Sequence, residues 1–539
     1  MSTGDAALSR AETATATGEA NAWAPLRHRA FRWLWLGVLV SGTGFWMQTV
    51  GAQWLLVDAP NAAALVAMVQ AANSLPIMLL ALPGGVLADS FDRRWLLFTV
   101  QVYFFVTGLV LAGLAAFGNL PPALLLTFTV ALGAGVAVQL PTWQSTVPEL
   151  VSRAEIRAAS RLDLVSVNVS RAVGPALAGV VIAHLGGVPV VFALYACSVV
   201  FLAVALLRWR RRPVQTDSIR ERFVPALRAG SRYVWHEPVV RRIMLRAVLF
   251  VLPAVALWAL LPVIATERLG LSADGFGALF AALGTGAILG ALALGRIKGR
   301  FSVNTLLTVA GLLYAAALAG LVTLASFPAA LAILVISGLA WMIITSTLQA
   351  EVQLILPAWV RARGLALYTV VFMGCLTFGS LLWGLVANQV GLRPGVLAAA
   401  AGVLLGTLVG LALRVPDTDN FDPQPAVYWP EAQLAAEPSA DAGPVLVTVR
   451  FTVTPDREAD FLQAMDELRQ SRLRTGATRW ELYRDAEHLH EFVETFRVPS
   501  WEEHRRQHAG RLTATDQVVE EHALSFSDPP PVAQHLLPP

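Results

Sequence analysis

The sequence predicts an all-α polytopic membrane protein, with twelve transmembrane helices in two six-helix pseudo-symmetric halves and a smaller C-terminal α+β domain behind them. Three observations carry this. The 539 residues are 56% hydrophobic and only 14% charged, whereas a soluble chain carries roughly a quarter charged residues. About twelve apolar runs reach the roughly 20 residues that a spanning helix needs. Arginine is abundant in alternate connections only, as orientation by cytoplasmic positive charge requires.

Taken in order, residues 1–26 are Ala/Thr-rich without an apolar core or a basic start, and read as a disordered N-terminal tail rather than a signal peptide. The first half, 27–210, holds runs at 33–56, 63–88, 95–117, 124–147, 162–184 and 189–207. An arginine-rich connection, 211–246, follows. The second half, 247–415, holds runs at 247–266, 276–295, 305–327, 329–350, 364–388 and 395–413. Arg27, Arg29 and Arg32 flank the first run, and the basic connections carry Arg93 and Arg94; Arg153, Arg157 and Arg161; Arg296, Lys298 and Arg300; and Arg361 and Arg363. The intervening connections hold only Arg268 and Arg393. This alternation places both termini in the cytoplasm of a cell whose plasma membrane the chain crosses several times.

The composition excludes several classes. A net charge of +3 provides no footprint for nucleic acid. Cys197 and Cys375 lie singly in apolar runs, with neither a disulfide framework nor a metal-ligand spacing, so no metal or other cofactor is expected. The Gly-rich motif ending in Lys-Ser/Thr is absent, so ATP is not the direct energy source.

The halves share a pattern. The fifth run contains "VGPALAGVV", with Gly174, Pro175 and Gly179, and the eleventh contains "FGSLLWGLV", with Gly379 and Gly384. The glycine spacing is the same, and a basic connection precedes each. Small residues let membrane helices approach closely, and related halves around a midplane site are the signature of secondary transporters.

Between the second and third runs stands "GGVLADSFDRR". Positive charge alone would hold this stretch in the cytoplasm, but acids contribute little to orientation, so Asp89 needs another reason. A carboxylate at a helix end can pair with a neighbouring helix N-terminus or an arginine, and a contact made in one state and broken in another is a switch. Here the sequence resembles the major facilitator superfamily, whose loop signature matches at Gly85, Asp89, Arg93 and Arg94 and departs at Ser90 and Asp92. More closely, "LRHRAFRWLWLGVLVSGTGFWMQTVGAQWLL", "PELVSRAEIRAASRLDLVSVNVSRAVGPALAG" and "VRARGLALYTVV" resemble the transmembrane secretion effector branch, which includes enterobactin-type exporters. The resemblance spans most of residues 25–415. It implies alternating access, with the 84–94 loop gating the cytoplasmic side and spans one, four, seven and ten lining the cavity.

Ionisable groups at membrane depth are functional candidates by default. Arg171 lies nine residues into the fifth run, roughly 13 Å deep, and Asp163 and Glu351 lie nearer the cytoplasmic ends. Glu351 is the candidate proton-coupling carboxylate. Trp46, Trp258 and Trp341 fall near mid-span, away from the interfacial belts. With Gln48, Gln139, Trp143 and Gln349 they are expected to line a cavity for a small amphipathic substrate, since aromatic walls with few polar groups suit such ligands.

After residue 415 the composition changes. Residues 416–443 form a Pro/Asp/Ala-rich linker, 444–528 a soluble module, and 529–539 a disordered tail. "VLVTVRFTVT" alternates as a strand, Pro455 opens a helix reaching about Arg472, "ATRWELYRD" and "HLHEFVETFR" read as strands, and Ser500 with Glu503 forms a capping box. A helix and a short strand close the module. The order resembles a ferredoxin-like fold of the antibiotic-biosynthesis monooxygenase kind, which implies a possible homodimer through its sheet. His488 and His490 are expected on one strand face, and His504 and His508 on a solvated helix face. The function expected is a secondary active, proton-coupled exporter by alternating access; the alternative is a membrane-tethered enzyme or sensor acting through residues 444–528.

Overall fold

The computed structural model describes residues 23–210, 223–297, 299–416 and 438–538. The tail at 1–22, part of the basic connection at 211–222 and the linker at 417–437 lie outside the described residues, as does the side chain of Asp89. The helices of the first half are α1 (Arg29–Trp54), α2 (Ala62–Ser90), α3 (Arg93–Ala116), α4 (Pro122–Leu150), α5 (Ile156–His184) and α6 (Gly187–Arg208). An amphipathic helix, α7 (Phe223–His236), comes next. The second half is α8 (Pro238–Arg268), α9 (Ala273–Ile297), α10 (Val303–Thr323), α11 (Phe327–Ile355), α12 (Ala358–Val390) and α13 (Leu392–Ala412). Among the described residues, eleven helices are long and apolar enough to cross a membrane. The helix outside that set is α1, 26 residues long, whose Arg29, Arg32, Thr43, Gln48, Thr49 and Gln53 dilute its apolarity.

The stretch expected as a loop at 84–94 is mostly helix. α2 continues to Ser90, leaving Phe91 and Asp92 as the turn. Asp92 caps α3, its carboxylate accepting from the N–H groups of Arg94 at 2.9 Å and Trp95 at 3.2 Å, which satisfies donors that a helix start leaves open.

α8 changes path where Pro253 removes a backbone N–H, and continues as Ala256–Val263 and a π-helical turn, Ile264–Arg268. Side chains take up carbonyls at this kink: Trp383 Nε1 donates to Leu252 O at 2.9 Å, and the Tyr314 hydroxyl to Ala254 O at 2.8 Å.

The repeated glycines are sites of backbone contact, and their partners repeat too. A Cβ on Gly174 would lie 2.7 Å from the Thr43 carbonyl of α1, and one on Gly379 would lie 2.6 Å from the Leu252 carbonyl of α8. Each therefore presses the fifth helix of its half against the first. A Cβ on Gly179 would lie 2.5 Å from the Ala273 carbonyl of α9, and one on Gly384 would lie 2.5 Å from Ala67 Cβ of α2. Each of these presses the same helix against the second helix of the other half. The Pro175 carbonyl completes the first cross-contact, 2.9 Å from where Gly277 would carry a Cβ.

The C-terminal unit is an antiparallel sheet of β1 (Val445–Thr452), β2 (Arg479–Arg484), β3 (Glu491–Val498) and β4 (Val532–Leu536), in the order β2-β3-β1-β4. Val445 faces Val498 and Phe451 faces Phe492. β4 pairs with β1, Leu446 opposite Leu536, so the sheet extends past the expected limit at 528 into the segment read as tail. Val445, Val447, Val449 and Phe451 alternate inward under α14 (Glu458–Thr475), α15 (Trp501–Arg506) and α16 (Ala514–Leu524). Ser500 accepts from the Glu503 N–H at 3.3 Å, but the Glu503 carboxylate turns to Arg511 at 2.7 Å, so the expected box is half formed. Complete boxes stand at Ser152–Glu155 and Thr513–Asp516.

This unit sits on α7 and the start of α12. Arg474 bridges it to the membrane bundle, its guanidinium 2.8 Å from Glu237, at the start of α8, and 2.5 Å from Asp516. Burial works against the charge of Arg474, but Asp516 and Glu237 outweigh it and hold the group above its ordinary range. The Arg511 guanidinium lies 4.9 Å over the Trp359 ring, and Tyr233 meets Trp359 edge-on at 5.7 Å. The docking end of the bundle is therefore the end bearing the arginine-rich connections.

Two histidine expectations are corrected. His488 and His490 lie in the turn between β2 and β3 rather than on a strand. His504 is fully buried, its ring 4.9 Å from those of both His508 and His535, because the apolar side of α15 needs a flat ring against Trp501 and Phe496. Burial, with the neighbouring histidines, pushes His504 down to about 3; burial, with Arg472 and His535, does the same to His508. A histidine kept neutral in the fold and titrating near 6.5 when unfolded contributes its full stability above that pH. The contribution falls as pH drops from about 6.5 toward about 3, by about 1.4 kcal/mol per unit for each residue. The opening free energy from hydrogen exchange across residues 445–536, after correction for the intrinsic exchange rate at each pH, is expected to fall between pH 6.5 and 5, and to fall less steeply after His504→Phe. An identical pH slope in the variant would contradict the assignment.

Candidate functional site: an aromatic box at the interface of the halves

Five helices deliver one cluster. Trp46 from α1 and Trp258 from α8 lie 6.2 Å apart, and Trp258 lies 5.7 Å from Trp341 of α11, which continues to Phe372 of α12 at 6.3 Å. Beside both of the first two rings sits the Arg171 guanidinium of α5, 5.3 Å from Trp46 and 5.6 Å from Trp258. Gly174 explains the reach. It shares the Arg171 face of α5 one turn on, and lacking a side chain it lets α5 close onto Trp46, whose Cβ would lie 2.7 Å from a Gly174 Cβ.

The site is short of acceptors. Among the described residues no carboxylate acts on Arg171, and its buried Nε has no hydrogen-bond partner. Trp258 is 7% exposed, and its Nε1 donor is likewise unmet.

Of the residues read as cavity walls, the structure gathers Trp46, Trp258 and Trp341 around Arg171. Gln48 is fully buried, with neither amide atom bonded among the described residues. Gln139 is partly exposed and Gln349 exposed. Trp143 belongs elsewhere: it packs with Phe31, Leu34 and Leu150 and donates to Asp163 at 2.7 Å, tying α4 to α5. The expected wall residue and the expected coupling acid thus hold each other. Glu351 is 1% exposed, deeper than Asp163, which is partly exposed.

Two residues of the expected gate, Arg93 and Arg94, make contacts within their own half. Arg93 reaches the Glu149 carboxylate at 2.7 Å and the Ser145 carbonyl at 2.8 Å, both on α4. Arg94 donates to the carbonyls of Leu206 and Leu207 at 2.8 Å each, capping the open end of α6. Glu149 escaped the sequence reading, although an acid in the last turn of a helix opposes the dipole and so signals a partner. The two adjacent glycines differ in their surroundings. No atom lies within 4 Å of its missing Cβ, whereas a Cβ on Gly84 would lie 2.5 Å from the Ala137 carbonyl.

The halves meet chiefly through α2 on α12 and α5 on α9. Their close approaches are Ser74 with Thr377, hydroxyls 2.8 Å apart, then Ala67 with Gly384, Ala172 with Gly284 and Gly179 with Gly277. All lie at mid-depth or toward the arginine-poor end, where Trp54 also stacks on Phe276 at 5.7 Å.

Residues 20–538 match the protein family described as transmembrane secretion effector. The chain is similar to the staphyloferrin A transporter of Staphylococcus aureus (strain NCTC 8325 / PS 47), 25% identical over 43% of this chain and 59% of that protein. It is similar to the multidrug efflux pump Tap of Mycobacterium tuberculosis (strain ATCC 25618 / H37Rv), 26% identical over 38% and 50%. The match thus spans about half the length of these curated relatives. Among solved structures, a bacterial homologue of the human lysosomal transporter Spinster, in an inward-facing and unoccupied conformation, superposes with a TM-score of 0.58 at 16% identity, over 73% of this chain and 99% of that one. That likeness establishes the fold.

The two adjacent glycines make a direct test of the gate. Gly84→Ala is expected to lower stability by about 1–3 kcal/mol through overpacking. Gly85→Ala is expected to be neutral or stabilising by up to about 1 kcal/mol through helix propensity. Thermal unfolding of the two purified variants distinguishes them, and equal midpoints would contradict the packing described.

Proposed function

The chain belongs to the transmembrane secretion effector family of major facilitator transporters, and from that premise we propose that it is a proton-coupled exporter of a small amphipathic organic molecule, of the drug or siderophore class. The family is one of transporters rather than enzymes. On this reading α1 crosses the membrane with the other eleven helices, the arginine-rich end and both termini face the cytoplasm, and the membrane is the plasma membrane. Arginine placement supports the orientation.

One observation carries the proposal: the halves close on each other toward the arginine-poor end through paired glycines, with an aromatic box and a lone arginine at the seam. Such contacts release as a set when two rigid halves rock. The conformation is then one closed to the outside. In the opposite state the Arg93–Glu149 clamp and Asp89 face the second half and act as the cytoplasmic gate.

Glu351 is proposed as the coupling carboxylate. At 1% exposed it is more deeply buried than Asp163, and a coupling group must change protonation between the two faces. The strand order of the C-terminal unit supports a ferredoxin-like fold. Its docking on α7 and α12 favours a sensing role for this unit over a separate enzyme, and the open sheet face bearing Leu446 suits pairing with a second copy.

In inverted membrane vesicles, Glu351→Gln is expected to abolish accumulation of 8-anilinonaphthalene-1-sulfonate driven by an imposed pH gradient while leaving downhill exchange intact. Gradient-driven accumulation by the variant would remove Glu351 from the coupling role.

A further inference from the structure

We propose that the exported molecule is an organic anion, and that its carboxylate, or an equivalent oxyanion, docks on Arg171 inside the aromatic box. The inference rests on the exporter reading and narrows its substrate class.

A guanidinium at membrane depth is costly unless compensated. The effective penalty for a buried ion is several kcal/mol, and a ring face returns roughly 0.5–2 kcal/mol. Arg171 is partly exposed; it has two such faces, Trp46 and Trp258, and among the described residues no carboxylate acts on it and its buried Nε meets no acceptor. The acids of the neighbouring helices are placed too far along the bundle to serve. Asp163 is eight residues from Arg171 on the same helix, roughly 12 Å, and Glu351 is ten residues from Trp341 on α11, roughly 15 Å. Asp163 is in addition held by Trp143.

A second observation points the same way. Trp258 is nine-tenths buried, its ring lies 5.6 Å from the Arg171 guanidinium, and its indole N–H has no acceptor among the described residues. Unmet groups at this site are therefore donors on both sides, Arg171 Nε and Trp258 Nε1. A donor-rich, acceptor-poor pocket selects a ligand that brings acceptors and negative charge. Arginine presents its donors as a planar fork that fits a carboxylate. The rings continuing through Trp341 and Phe372 offer the ligand's apolar body a surface. A neutral solute leaves the charge uncompensated, and a cation adds to it.

The test uses the purified full-length chain and three probes of one shape: 2-naphthoate, 2-naphthamide and 2-naphthylmethylammonium, titrated calorimetrically. Naphthoate is expected to bind at least about tenfold more tightly than the amide, with the ammonium weakest. Arg171→Gln should bring naphthoate down to the level of the amide without changing the amide. Trp258→Phe, which keeps a ring and removes the donor, should weaken naphthoate alone by a few-fold and covers the case of an Arg171 variant that fails to fold. Sulfate at matched ionic strength separates the sources of negative charge: competition by sulfate as strong as by naphthoate would mean a site for inorganic anions and overturn the proposal. Equal binding of naphthoate and amide, preference for the ammonium, or no binding of naphthoate by the wild-type chain would overturn it too. Vesicle assays keep the two readings apart. Accumulation of the ammonium probe but not of naphthoate would leave the exporter standing and remove the anion site; specific naphthoate binding without accumulation would do the reverse.

Discussion

Close backbone approach at glycine is the constraint on which the membrane bundle depends. Lipid supplies no hydrophobic drive between helices, so contact area and fit hold them together. A residue without a side chain brings two backbones within direct contact, and here that device is used twice in each half. Gly174 and Gly379 set α5 and α12 against the first helices of their own halves, and Gly179 and Gly384 set the same two helices against the other half. One helix in each half therefore carries both the internal packing of that half and the seam between halves. The close approaches of the seam lie at mid-depth and toward one end, so the halves can part there without repacking inside. Arg171 reaches the seam because Gly174, one turn away, removes the obstacle.

The C-terminal unit adds a second mechanical link, to the second half. Arg474 joins Glu237 and Asp516 in a buried triad, and Arg511 covers Trp359. Breaking such a group by removing one partner leaves an uncompensated buried charge, an effect of about 3–5 kcal/mol, so the unit moves with the second half as one body. Trp359 opens α12, the helix whose Gly384 makes the cross-contact.

Much of this was legible in the sequence because the signals are local. Apolar length marks each membrane helix, arginine marks one end of the bundle, and glycine spacing marks the close contacts, which the structure places at all four positions read from the repeat. Trp46, Trp258, Trp341 and Arg171 were visible as polar or amphipathic groups at depth. What stayed hidden depends on rotation and partners. Trp143 and Asp163 looked like independent site residues, but the angular setting of α4 and α5 makes them a bonded pair. Gly85 matched the loop signature, yet Gly84 makes the contact, since adjacent helix positions differ by about 100°. α1 was read as a span from length, while its polar residues keep it below the apolarity of the other eleven. His504 looked solvated on a charged helix, and only the packing of α15 over the sheet shows it buried. The seating of the C-terminal unit, across more than two hundred residues between Glu237 and Arg474, left no local trace.

The most direct test of rigid halves joined at a glycine seam is a pair of spin-label distances measured with and without a wedge. One pair, Leu185 and Val390, lies at the arginine-poor end; the other, Leu87 and Leu354, lies at the basic end; all four side chains are exposed. Gly384→Val places a branched side chain where a Cβ already lies 2.5 Å from Ala67. Rocking about the seam predicts that the wedge lengthens the first distance and shortens the second. Lengthening of the first with the second unchanged, or no change in either, would contradict it.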